Sequence, residues 1–306
     1  MAGQVLHPRY LPFTSEMLLE HFAPVAGKAP DDRYLQYFQD SLLRLADHLA
    51  LAETPTHSQI RIGRQLEKDE RFWTVAALMS LYHRPQGEGA QARAFADLLQ
   101  LAHLRPPDDF ADWASALGGN LKLYFEVNLP SPPGYGKWLA SHLDERVLIP
   151  YVREAADKAT RLEGTTKADA MLLAPDTGVA VIFEAKVLSD VSTNVTFDVA
   201  RNQLARSIDV MLEPGSGVSL GERRPERTSF VLITPDLFRR RETGLRGSRL
   251  YGWLMDGYTD PSSELLSRHL AHRSTHELGD VSDRLGWVSW EDVNKVMPGA
   301  CSWLTT

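Results

Sequence analysis

The feature that most constrains this chain is the stretch KADAMLLAPDTGVAVIFEAKV, residues 167 to 187. Two apolar runs flank PDTG, whose residues suit a tight turn. Pro presets φ, Asp caps with its side chain, and Gly accepts a positive φ. The stretch therefore predicts a β-hairpin. Pairing Ala174 with Val179 sets a register in which Asp169 faces Glu184. Directly opposed residues have Cβ atoms about 4.5–5.5 Å apart, and like charges there repel. Period-two alternation puts Lys186 on the face of Glu184, with Met171, Leu173 and Ile182, while Leu172, Val181 and Phe183 line the other. Both faces are apolar at their centres, the pattern of an interior strand pair covered on both sides. Two acids so placed need a compensating cation or raised pKa values. A divalent metal with oxygen ligands supplies such a cation, and Lys186 supplies it in part.

Around the hairpin, helical and extended patterns alternate. The first 120 residues read as helices. Thr14 is a plausible cap before EMLLEHF, and Tyr34, Tyr37, Phe38, Leu42, Leu45 and Leu49 form an amphipathic stripe. IRIGRQLEKDERFWTVAALMSLYH and AQARAFADLLQLAHL continue the pattern. Residues 1–127 are thus expected to form an all-helical domain for recognition or partner contacts, with a homodimer or a protein partner as its use. NLPSPPGYG, residues 128 to 136, is the candidate hinge. Residues 128–306 then carry the α/β part. KWLASHLDERVLI reads as a helix broken at Pro150, YVREAADKA as its resumption, and TRLEG as a short strand. A helix over TFDVARNQLARSIDVML ends at PGSG, followed by a buried strand in RTSFVLITPDLF, a helix near SSELLSRHLAHR, a strand in LGWVSW and a final helix in EDVNKVM.

On the residues Asp169 and Glu184-Ala185-Lys186, carried by two adjacent strands, the chain resembles the PD-(D/E)xK nuclease superfamily. The resemblance covers roughly residues 135 to 240. It implies a restriction-endonuclease-like core, a mixed central sheet flanked by helices. It also implies a phosphodiester hydrolase, an endonuclease rather than an exonuclease, with DNA as the favoured substrate. Asp169 and Glu184 would bind Mg²⁺, for which Mn²⁺ substitutes, and the Ala185 carbonyl would add a ligand. Lys186 would orient or activate water. Gln203 stands where some members carry a helical Gln, although position 207 is Ser207 rather than the Tyr that follows it there. Arg201 and Arg206 on that helix would reach phosphates. Many members place an acid on the helix before the first strand, for which Glu145 is favoured over Glu154. Ala168 stands where the family's name has Pro.

The remaining signals bound the class. The chain has 306 residues, 43% hydrophobic and 24% charged, ordinary for a soluble globular protein. No apolar run approaches the roughly 18 residues of a membrane span, and the N-terminus has no signal-peptide pattern. One cysteine, Cys301, excludes an internal disulfide framework and a Cys-rich zinc cluster. Together these point to a cytoplasmic protein. The net charge is −7, yet residues 201 to 250 carry ten arginines against six acids, densest in FRRRETGLRGSR. Such a run is ordinarily a solvated face. His269, His272 and His276 share a helical spacing but no surrounding carboxylate pattern. The seven tryptophans are scattered, which suits core packing. Two other readings stand beside the nuclease: a nucleic-acid-binding or scaffold protein that keeps the fold without cleaving, and a purely structural charged triad.

Overall fold

In a computed structural model, residues 4–22, 32–50, 65–193, 196–214, 223–301 and 304 are described, with side chains of 32 and 45–50 left aside. The side chains of Leu45 and Leu49, residues 60–64, residues 215–217 of PGSG, and Trp303 among the seven tryptophans lie outside that set. Among the described residues, seven strands form two sheets. Val5–His7 (β1) and Leu11–Thr14 (β2) make a small antiparallel pair. The central sheet has the order Lys122–Leu129 (β3), Thr166–Ala174 (β4), Val179–Ala185 (β5), Thr228–Thr234 (β6) and Leu285–Ser289 (β7). Its first two pairings are antiparallel and its last two parallel. The protein is α/β, with helices on both faces of a five-stranded mixed sheet.

The hairpin has the register set by its turn. Ala174 pairs with Val179, and the ladder runs without slip to Ala170 and Phe183. Gly178 closes the turn at φ 72°, where a Cβ would be strained, and its N–H donates to the Ala174 carbonyl at 2.9 Å. Every residue of β5 and β6 is buried, as parallel strands covered on both faces require. Leu172, Val181 and Phe183 pack toward the Glu70–His83, Ala90–Leu101 and Trp290–Val296 helices. Met171, Leu173 and Ile182 pack toward the Gln203–Met211 and Leu250–Thr259 helices. Each such buried side chain contributes about 1.5–3 kcal/mol.

Three expectations are corrected. The N-terminal part is not all-helical: β1, β2 and most of β3 lie within residues 1–127, and the boundary at 127/128 falls inside β3. Its helices form one layer over the sheet, sharing a core with β4 and β5. The proposed hinge is the end of β3 followed by the Pro133–Ala140 helix, whose prolines sit in the first turn, where no backbone donor is lost. TRLEG forms no strand, because Glu163 is drawn into a buried ion pair and β4 begins only at Thr166. Thr14 does cap its helix, accepting from Met17 N–H at 3.3 Å. Cys301 is buried, and burial pushes its thiol pKa up. Among the described residues no helix is long and apolar enough to cross a membrane.

Under the first layer, His21 is tied to β3 through Nδ1 and the Leu123 carbonyl at 2.8 Å, and its Nε2 meets His83 Nε2 at 2.6 Å. Burial, then the charge of His21, lowers the His83 pKa to about 4. The folded pKa lies below the unfolded value of about 6.5. Stability from the neutral pair is therefore present above that value and lost as the pH falls toward 4. Between pH 7 and pH 5 the wild type should lose about 1 kcal/mol more than His83→Gln, after allowance for partial exposure. Urea unfolding at the two pH values measures this; equal losses would remove the histidine pair as the cause.

Candidate active site

The C-terminal end of β5 delivers the charged residues. Continuing the hairpin register one step beyond Ala170 and Phe183 sets Asp169 against Glu184. There the backbone ladder gives way to a side-chain bond, with Ala185 N–H donating to Asp169 Oδ2 at 2.8 Å. Glu184 is 1% exposed. Its Oε1 accepts from Lys186 Nζ at 2.6 Å and from Gln203 Nε2 at 2.5 Å. Its Oε2 is buried with no hydrogen-bond partner. Burial, then the charge of Glu184, holds the Asp169 carboxyl well above the usual carboxylate range. Burial also raises Glu184, against the opposing pull of Lys186. For Lys186, burial works against the charge, but Glu184, Asp169 and Glu70 outweigh it and raise the pKa.

The lysine is held by its backbone as well as its head group. Lys186 N–H donates to the Ile233 carbonyl at 2.8 Å, and its own carbonyl accepts from Trp290 Nε1 at 3.0 Å. Gln203 is aimed by the start of its helix. Asn202 caps that helix through Ala205 N–H at 3.0 Å, Gln203 N–H donates to the Ser192 carbonyl at 2.9 Å, and Gln203 Oε1 accepts from Ser192 N–H at 3.3 Å. Asp169, Glu184, Ala185, Lys186 and Gln203 thus come together from three elements.

Sequence reasoning missed a further acid. Glu70, at the start of the Glu70–His83 helix behind its Asp69 cap, reaches the same strand end. Its Oε2 accepts from Val187 N–H at 3.0 Å and from the Ser189 hydroxyl, and its Oε1 lies 3.5 Å from Lys186 Nζ. Two more features surround Asp169. Glu126, in mid-strand at φ 55°, stands opposite it by the register on either side, paired with Lys167 and with Arg71 at 3.4 Å. A non-glycine residue in that region of φ is strained, and such strain gathers at functional sites. Tyr251 is buried, its hydroxyl lacks a hydrogen-bond partner, and it lies within electrostatic reach of Asp190, Glu70 and Lys186.

Other expected residues do not join the site. Glu145 is exposed on the Leu143–Arg146 turn, and Glu154 is exposed on the Pro150–Asp157 helix. The acid that comes from a helix before β3 to the end of β5 is Glu70, and it lies beside Lys186. Arg201 is fully buried, so its reading as a phosphate contact is corrected. It bonds Glu163 at 3.0 and 3.1 Å and Asp209 at 2.6 Å, and lies 3.9 Å over the Tyr135 ring. Arg206 is spent on the carbonyls of Gly164 and Thr165, each at 3.0 Å, and on Glu163. Ser207 is buried. The three histidines do not share a helix. His269 bonds the Tyr258 hydroxyl at 2.6 Å, His272 lies 3.1 Å from Asp209, and His276 is exposed.

The donor set can be tested against a divalent cation. Among the described residues no group of three or more His, Cys, Asp or Glu side chains is set to hold a metal. Mg²⁺, however, keeps several waters and commonly uses one or two carboxylates plus substrate phosphate. Asp169 and Glu184 fit that pattern, and the buried Glu184 Oε2 takes no hydrogen bond from Lys186, Gln203 or the backbone. Comparison with protein families, with curated proteins and with solved structures finds no match for this chain. The site is therefore read on its own geometry.

The Arg201 network makes a separate prediction. Asp209 is buried and also accepts from Arg273 Nε at 2.5 Å. Asp209→Ala leaves two buried guanidinium groups short of their counter-charge, which should cost about 3–5 kcal/mol in urea unfolding. A loss below about 1 kcal/mol would show that the network is not a stability element.

Proposed function

We propose that this chain is a metal-dependent nuclease that hydrolyses phosphodiester bonds, with DNA as the favoured substrate. One observation carries the reading. Two carboxylates meet at the end of a buried hairpin, one oxygen is bound by Lys186 and Gln203, and the other is buried and unpartnered. A structural Glu184–Lys186 ion pair has no need of the second acid, which in the absence of a cation is held there at the cost of a raised pKa. A cation-binding site does need it. The antiparallel β3–β4–β5 meander followed by parallel β6, and the order Asp169, Glu184, Lys186, also support the resemblance to the PD-(D/E)xK superfamily.

The roles follow from the contacts. Asp169 and Glu184, with the Ala185 carbonyl, would hold Mg²⁺ or Mn²⁺. That ion would supply charge stabilisation and a more acidic water at an already anionic phosphodiester. Lys186, ringed by carboxylates, keeps its proton, so it donates to the substrate or attacking oxygen and offsets the charge developing there. Gln203 holds Glu184 Oε1 in place and leaves Oε2 facing the second carboxylate. Glu70 fixes the Val187 and Ser189 segment and thereby the direction of Lys186.

Labelled DNA and RNA incubated with purified protein and Mg²⁺ or Mn²⁺ test this. Cleavage should fall by about 10²-fold or more in Glu184→Ala and Lys186→Ala. Glu70→Gln should lower kcat with little change in folding. Mn²⁺ should raise the Tm of the wild type but not of Glu184→Ala. Asp169→Asn, which relieves repulsion, should raise the metal-free Tm while removing the Mn²⁺ response. Binding of DNA or RNA without cleavage would favour a non-cleaving module. A fall in Tm with Asp169→Asn, and no metal response in either form, would favour a structural triad.

A further inference from the structure

The basic segment FRRRETGLRGSR begins and ends at the rim of the candidate site. β6 runs parallel beside β5, and the Lys186 N–H bonds Ile233 near its end. The chain then leaves Thr234 into the Asp236–Arg239 turn, on the same edge of the sheet as Glu184 and Lys186. It returns at the Leu250–Thr259 helix. The N-terminus of that helix is held by Asp190, four residues beyond Lys186, through Leu250 N–H at 2.7 Å and Tyr251 N–H at 3.2 Å. In open α/β sheets, ligands sit at this carboxyl edge of the parallel strands.

The arginines of the segment divide into two sets. Arg239 and Arg246 are scaffold. Arg239 bonds Asp292 at 2.8 Å and the Trp287 carbonyl at 3.3 Å, while Arg246 bonds Asp256 at 2.5 Å and lies 4.5 Å over the Trp287 ring. Arg240 and Arg241 are outside, with 54% and 78% of their side chains exposed, in single ion pairs at the surface. Pairs so exposed contribute little and exchange readily for another anion. Arg249 stacks over Phe238 at 4.6 Å and has no acidic partner among the described residues. Trp253 stands one helical turn beyond Arg249 and is 53% exposed, although Tyr251, Leu254 and Met255 of the same helix are buried. An exposed indole one turn from a guanidinium with no acidic partner among the described residues, in a segment with two further exposed arginines, matches the stacking platform and phosphate contacts of proteins that bind single strands.

We infer that Arg240, Arg241, Arg249 and Trp253 form the track along which a single nucleic-acid strand reaches the Asp169–Glu184–Lys186 site. The arginines contact phosphates, and Trp253 stacks on an unpaired base. The inference rests on the nuclease reading for its destination but is tested by binding alone.

Fluorescence anisotropy of a labelled single-stranded oligonucleotide and of its duplex, with Ca²⁺ in place of Mg²⁺, provides the test. Arg249→Ala and the double change Arg240→Ala/Arg241→Ala should weaken single-strand binding roughly tenfold and lower the salt slope by about one per arginine removed. Trp253→Ala should weaken it by about tenfold, with Trp253→Phe close to wild type and the duplex less affected. Wild-type affinity in all the face variants would overturn the track and leave the nuclease reading standing. Equal loss on duplex and single strand in Trp253→Ala would overturn the stacking. A dimer abolished by Trp253→Ala without change in oligonucleotide affinity would assign the face to a second copy instead. A wild-type protein that binds neither oligonucleotide would overturn both readings.

Discussion

The repulsion between Asp169 and Glu184 is the constraint on which the rest of this structure turns. Two acids at the end of a hairpin whose other positions are buried raise the energy of that strand end unless something positive or a proton stands between them. The fold does not relieve the conflict by separating them. It holds Asp169 with the Ala185 N–H, and Glu184 with Lys186 and Gln203, so that neither carboxylate turns away. A hairpin built for stability alone would place apolar residues there, since replacing buried charges with packed side chains is often neutral or stabilising.

The helices around this strand end are arranged to support it. Gln203 arrives at the first turn of the helix that crosses from β5 to β6, where the Asn202 cap fixes its direction. Glu70 arrives from the opposite layer, at the first turn of a helix whose other side packs on the sheet. Both come from helix starts, where position is set by a cap and free backbone donors favour an acid. The Trp290 indole closes the group from the last helix by holding the Lys186 carbonyl. A site assembled from five elements across two layers is rigid because moving any one part disturbs a packed core. The same reasoning accounts for Arg201. A guanidinium between Glu163 and Asp209 pins the β4 approach to the Gln203–Met211 helix.

How far the sequence spoke depended on whether a signal was local. The turn PDTG and the alternation on either side determined the hairpin, its register and the meeting of Asp169 with Glu184, because pairing across a two-strand turn is counted residue by residue. The strand KLYFEVNL carries the same period-two pattern at Leu123, Phe125, Val127 and Leu129, and was legible as β3 but lay hidden in a block of helical patterns. The helical pattern likewise assigned Arg201 and Arg206 to one helix, without saying whether either met water or protein. Leu204 and Ile208 mark the buried stripe, but the burial of Arg201 depends on Glu163, thirty-eight positions away.

By itself, then, the sequence determined the two-sided apolar hairpin and the three charges at its end. Those follow from covalent neighbours and the fixed alternation of a strand. Only the tertiary structure decided that Glu70 rather than Glu145 lies beside Lys186, that Arg201 is interior, and that the chain leaves β6 on the sheet edge that carries Lys186. Those relations join residues more than a hundred positions apart in one case and across a sheet edge in another. They are set by which helix packs on which face, a property of the closed core that no local pattern encodes.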